Sequence, residues 1–211
     1  MTNKRSQEPR KEHTMNFVKE TKYGLEKTDA VTNFLNEENA VLITGDINES
    51  TTLDVVSNLY YWAKKDPDQL IKVYIINSPG GSVTAATAIL DVARLIPNPI
   101  RTIGIGLVAS AASLLLSSLA TEKRLVTENV DLLYHQPLTN GIQGQASDVV
   151  IAAERLIECK QNINQLLARV SNLSVDQVEK LLDRDCWVSP KEAMDMGLID
   201  GLLQWTHFNN R

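Results

Sequence analysis

Three side-chain types in this sequence could share one reaction. Ser110 lies within TIGIGLVASAASLLLSSLAT (102–121), twenty residues without a charge between Arg101 and Glu122. A serine hydroxyl is a weak nucleophile until a neighbouring base takes its proton. Histidine is the usual base near neutral pH, and the chain has three: His13, His135 and His207. His13 lies in a polar N-terminal segment and His207 within five residues of the C-terminus, neither a place that holds a fixed geometry. His135 follows the apolar run 130–134 and opens a loop with Pro137, Gly141 and Gly144, where α/β enzymes carry functional groups. For a carboxylate that would orient the imidazole, Asp183 and Asp185 flank Arg184 just before Trp187. Gly80-Gly81, ahead of a helical segment, offers backbone N–H donors to a developing oxyanion. Each feature also has a plain structural reading. Ser110 fits a small-residue turn, His135 a half-buried strand cap, and the Asp-Arg-Asp run a solvated surface cluster.

These groups depend on the elements that carry them. Ile103, Ile105 and Leu107 alternate as in a buried strand, whereas Ala111, Ala112, Leu114, Leu115 and Leu119 read as a buried helix. A serine at a strand-to-helix junction is one way to present a nucleophile. The twenty-residue length also suits a bilayer span, but four serines, two threonines and two glycines interrupt it. Strands are predicted over 40–44, 70–76, 100–106 and 130–134. Helices are predicted from Ser50 or Thr51 to before Pro67, over 83–96, from Ser110 onward, and over 147–170 with Val149, Ala153, Leu156, Ile163, Leu167 and Val170 on one face. Thr28 or Asp29 is placed to cap a short helix carrying Val31, Phe34 and Leu35. Ser174–Gln177 and Ser189–Glu192 are capping boxes, the second with Pro190 at its first turn and Gly197 at its end. Strands alternating with helices imply βαβ crossovers and a mainly parallel sheet. The organisation expected is a flexible arm over 1–26, one domain over 27–204 and a tail over 205–211.

Composition narrows the function. The chain has 211 residues, 43% hydrophobic and 22% charged, with net charge −5, so no global field draws it to nucleic acid or an anionic membrane. Residues 1–14 carry net +2, leaving −7 on the rest. Cys159 and Cys186 lack CxxC spacing, and the polar N-terminus lacks an apolar signal core, so the cytoplasm is the expected compartment. Neither GxxxxGK[ST] nor GxGxxG is present and no Cys/His/Asp/Glu group has metal-ligand spacing; no nucleotide loop, metal or other cofactor is expected.

Four segments in order resemble the Clp protease proteolytic subunit family (ClpP). They are INSPGGSVTAATAI (76–89), GLVASAAS (106–113), HQPLTNGIQGQASD (135–148) and DRDCWVSPKEAMDMGLIDGLL (183–203), within a likeness over about 40–203. The resemblance implies a crotonase/ClpP-like α/β fold, a protruding strand-helix handle and a serine endopeptidase. By that likeness Ser110 is the nucleophile, His135 the base and Asp185 its orienting partner, with the Gly81 and Ala111 amides as oxyanion hole. Gly80, Ser82 and Val83 would bind extended substrate, and Gln143, Asp183 and Arg184 would lie at an inter-ring contact. It further implies homo-oligomeric stacked heptameric rings, fed unfolded polypeptide by an AAA+ unfoldase such as ClpX, ClpA or ClpC. The N-terminal arm would supply an axial loop.

The chain departs from the family's pattern at Ala111, where methionine is usual, at Leu107 in place of glutamine, and at Val73, Ile75 and Leu125, where aromatic residues line the unfoldase docking clefts. A subunit inactive by itself that assembles with an active paralogue is therefore an alternative. An acyl-CoA enzyme using the same two amides for a thioester enolate is a third.

Overall fold

The computed structural model describes residues 16–22, 24–139 and 141–204. The chain divides into two compact units, Met1–Glu38 and Asn39–Arg211. In the first, β1 (Asn16–Thr21) and β2 (Gly24–Asp29) form an antiparallel hairpin, followed by helix α1 (Ala30–Glu38). Residues 16–26 are thus largely strand, where a flexible arm was expected. Gly24, at φ +117°, supplies a backbone conformation at the turn that a side chain would resist. Asp29 caps α1, its Oδ1 accepting from the N–H groups of Val31 and Thr32 at 3.0 Å each. Lys19 Nζ donates to Asn33 Oδ1 at 3.0 Å and Glu37 Oε1 at 2.8 Å, fastening the hairpin to the helix. The main body begins after α1 rather than at residue 27. Residues 1–15 and the tail 205–211 lie outside the described residues.

The second unit is built as repeated strand–helix units. β3 (Ala40–Ile47), α2 (Glu49–Lys65), β4 (Ile71–Gly81), α3 (Val83–Leu95), β5 (Ile100–Ala109) and α4 (Ala111–Ser118) come first. β6 (Lys123–Val126), β7 (Asp131–Tyr134), α5 (Ala146–Val170), α6 (Val175–Leu182), β8 (Cys186–Val188), α7 (Pro190–Asp195) and β9 (Gly201–Leu202) follow. The sheet runs β3-β4-β5-β6-β9 with every pairing parallel. The sequence reading missed β6, β8 and β9, which are two to four residues long and lack a measurable period. Helix α2 is capped by Asn48, whose Oδ1 accepts from Thr51 N–H at 3.1 Å, rather than by Ser50 or Thr51. Both capping boxes are present as expected.

One irregularity decides where the site lies. β5 pairs with β6 through Arg101–Gly104 and then with β7 through Leu107–Ala109. Between these stretches Gly106 sits at φ +67°, with Asn77 Oδ1 accepting the Leu107 N–H at 3.1 Å. A Cβ on Gly106 would lie 2.2 Å from that oxygen, so glycine is required. The bend hands β5 from one neighbour to another, and β8 then joins β7 antiparallel.

Helix α4 explains the uncharged stretch. Ala111 through Ser117 are all buried, so the helix is apolar on every side because it crosses the core. Thr102 Oγ1 donates to Leu116 O at 2.8 Å and Ser117 Oγ pairs with Tyr134 Oη at 2.8 Å, while the buried Ser118 hydroxyl has no partner among the described residues. Among the described residues no helix is long and apolar enough to cross a membrane. Val73, Ile75 and Leu125, assigned above to docking clefts, are instead buried. On a parallel strand covered on both faces, such positions meet the core rather than a partner.

Candidate active site

Four strand ends converge. β5 delivers Ser110, β7 delivers His135, β4 ends in Gly80-Gly81, and β8 is preceded by Asp185. Ser110 is the turn residue between β5 and α4, with φ 57° and ψ −122°, a conformation side-chain-bearing residues rarely adopt. Two hydrogen bonds hold the turn against β7. Ser110 N–H donates to Leu133 O at 2.9 Å, and the buried Ser113 hydroxyl lies 2.7 Å from both Leu133 O and Ser110 O. The hydroxyl thus ties the turn both to itself and to the histidine strand. Sequence reasoning passed over Ser113; its place three residues after Ser110 is the signal that would have found it.

The glycine turn is pressed onto this elbow. Ser78 Oγ donates to Gly45 O at 2.7 Å and accepts the Gly80 N–H at 3.3 Å. A Cβ on Gly80 would lie 2.5 Å from Ala109 O, 2.7 Å from Ser110 Cβ and 2.8 Å from Ala111 N. The Gly80–Gly81 peptide therefore packs against the first turn of α4, whose leading N–H groups have no partner within the helix. Ser82 N–H is donated to Ile47 O at 2.8 Å, on the β3 side. Gly80→Ala should cut the rate of Ser110 acylation or phosphonylation by ~10² or more, because the displaced backbone carries the nucleophile. The check is active-site labelling, with a circular-dichroism melt to separate misplacement from unfolding.

Ser110 and His135 share a cleft with Val83, Ala111, Gln136 and Pro137 whose free volume is only ≈ 20 Å³, about one water. A larger cleft of ≈ 620 Å³, sharing Val83 and Ile163 with it, extends between α3 and α5. His135 Nδ1 lies 2.7 Å from Gln136 O. A carbonyl only accepts, so Nδ1 carries the proton and Nε2 is the basic nitrogen, the tautomer a base facing Ser110 needs. Asp185 is exposed, and no hydrogen bond joins it to His135, or His135 to the Ser110 hydroxyl. In the β7–β8 ladder Tyr134 pairs with Cys186, Leu133 with Trp187 and Leu132 with Val188. His135 and Asp185 are each the next residue beyond the last of these pairs.

The remaining expected positions are apart from the chemistry. Ser82 caps α3, its Oγ accepting Ala85 N–H at 3.2 Å. Arg184 and Asp183 form an exposed 3.7 Å ion pair, and Gln143 is exposed in the loop before α5. Burial pushes the thiols of Cys159 and Cys186 up, so both stay protonated at neutral pH and do not compete with Ser110. Burial likewise pushes the Tyr134 phenol up to about 12, keeping the Ser117–Tyr134 pair neutral. Among the described residues no group of three His, Cys, Asp or Glu side chains is gathered for a metal.

The Clp protease family model matches residues 23–206. The chain belongs to the Clp protease family. That membership accounts for the mostly parallel sheet and its crossover helices. Family membership also fits the forked β5: the strand must leave the main sheet for its end to meet β7.

Proposed function

We propose that this chain is a serine endopeptidase subunit with Ser110 as nucleophile, His135 as general base and Asp185 as the carboxylate that orients it. The observation that carries the reading is Ser110 in a left-handed elbow, hydrogen-bonded to the strand that ends in His135 and packed against Gly80. His135 Nε2 accepts the Ser110 proton as Oγ attacks a peptide carbonyl. The resulting oxyanion is held by the Gly81 and Ala111 N–H groups, and the proton passes to the leaving amine; water then releases the acyl group by the same steps in reverse. Losing one oxyanion donor would cost ~10²–10³ in rate. Gly80, Ser82 and Val83, at the junction of β4 and α3 beside Ser110, are the positions that would receive an extended chain in this reading. Unfolded polypeptide is the substrate class that follows.

The working assembly in this reading is a pair of stacked heptameric rings supplied by an AAA+ unfoldase. Gln143, Asp183 and Arg184, the inter-ring positions by resemblance, are exposed, and Val149, Val150, Ile151 and Ile157 leave apolar side chains exposed on α5. A second reading, a subunit that needs an active paralogue, draws on the missing His135–Asp185 hydrogen bond in the single chain. One experiment separates them. The purified protein is treated with a fluorophosphonate, the label is mapped by peptide mass, and particle mass is measured on the same sample. Labelling confined to Ser110 in a homo-oligomer supports the first reading. An assembled but unlabelled chain that labels only when mixed with a paralogue supports the second.

A further inference from the structure

Gln136 is the residue through which His135 and the Asp185 loop are joined. Its backbone carbonyl accepts from His135 Nδ1 at 2.7 Å. Its backbone N–H donates to Leu182 O at 2.8 Å, and its side-chain Nε2 to Asp183 O at 2.8 Å. Three links from one residue therefore span the histidine strand and the turn between α6 and β8. That turn needs them. Asp183, Arg184 and Asp185 are all exposed, the ion pair between the first two lies open to water, and the β7–β8 ladder is three residue pairs long. Such an ion pair contributes little, and so short a ladder does not fix the residue beyond its end. Gln136 also lines the cleft that contains Ser110 and His135, so its side chain is held between the site and the loop.

We propose that Gln136 is a positioning residue that sets the Asp185 carboxylate against His135, acting through the Asp183 carbonyl; this rests on the peptidase reading above. The backbone links survive any substitution at 136, so the side-chain bond to Asp183 O is the part a variant can remove. Gln136→Met keeps the length and bulk of the side chain and removes its amide donors. The rate at which a fluorophosphonate modifies Ser110 should fall ~10-fold, the effect of one lost hydrogen bond. With a short peptide substrate the loss should appear in kcat rather than KM.

The deciding comparison is a double-mutant cycle with Asp185→Asn. If Gln136 acts through Asp185, Gln136→Met costs nothing further once the carboxylate is gone. If the two losses multiply, the positioning role is overturned. Should the wild type itself fail to label, the peptidase reading falls and the tether is tested separately by hydrogen exchange. The amides of 183–186 should then exchange ~10-fold faster in Gln136→Met while those of β4 and β5 keep their rates, as expected when one local hydrogen bond is lost. Unchanged exchange at 183–186 overturns the inference. Gln136→Glu, of the same length but with no N–H to offer Asp183 O, repeats both measurements if methionine disturbs the fold.

Discussion

Replacing Ser110 with glycine should abolish active-site labelling and at the same time raise the melting temperature. The two effects have separate causes in one residue. At φ 57° and ψ −122°, Ser110 holds its Cβ in a region that costs about 1–3 kcal/mol. The structure imposes this conformation by pinning Ser110 N–H to Leu133 O and seating α4 in the core. Glycine adopts such angles freely, though it loses about 0.5–1 kcal/mol through greater freedom in the unfolded chain. The balance favours glycine by about 1 kcal/mol, or a rise of roughly 2–4 °C for a chain of this size. Ser110→Ala supplies the control: it removes the nucleophile but keeps Cβ, so labelling vanishes with no comparable rise. A glycine variant that melts at or below the wild-type temperature would show that the elbow stores no strain.

The parts legible in the sequence were those written in a few neighbouring residues. Ser174–Gln177 and Ser189–Glu192 cap their helices because a capping box closes over three positions. The strand-to-helix change at Ser110 was visible because periodicity shifts within the uncharged stretch. What was not legible depends on partners far along the chain. Gly106 marks an irregularity in β5 but does not say that the strand will change neighbours, since its partner there is Asn77, which reaches across from β4. The hairpin at 16–29 went unseen because two six-residue strands without a sustained apolar period carry too little pattern to read. Val73 and Ile75 invited a docking role by analogy with the family, yet both lie in the core, and only burial distinguishes a core strand from a cleft lining. Gln136 acts across 47 residues of sequence to Asp183, so adjacency to His135 was its only local sign.

Asp185→Asn should lower the rate of Ser110 modification by ~10–10², the margin of a charged over a neutral hydrogen bond, while leaving the melting temperature nearly unchanged. Stability is spared because Asp185 is exposed and makes no hydrogen bond among the described residues. The rate loss follows from what happens once His135 takes a proton. In the resting chain Nδ1–H is already donated to Gln136 O, which suffices to hold the tautomer. A neutral hydrogen bond of this kind contributes about 0.5–1.5 kcal/mol, whereas one to a charged group contributes about 1.5–3 kcal/mol. When the imidazolium forms, exchange from the carbonyl to the Asp185 carboxylate, one residue beyond the end of the β7–β8 ladder, therefore becomes favourable. Asparagine offers no charge and removes that gain. The measurement is the second-order labelling rate on assembled wild type and variant. A loss below about tenfold, near the value of one neutral hydrogen bond, would mean that the Gln136 carbonyl remains the partner of His135 throughout the reaction and that Asp185 stands outside it.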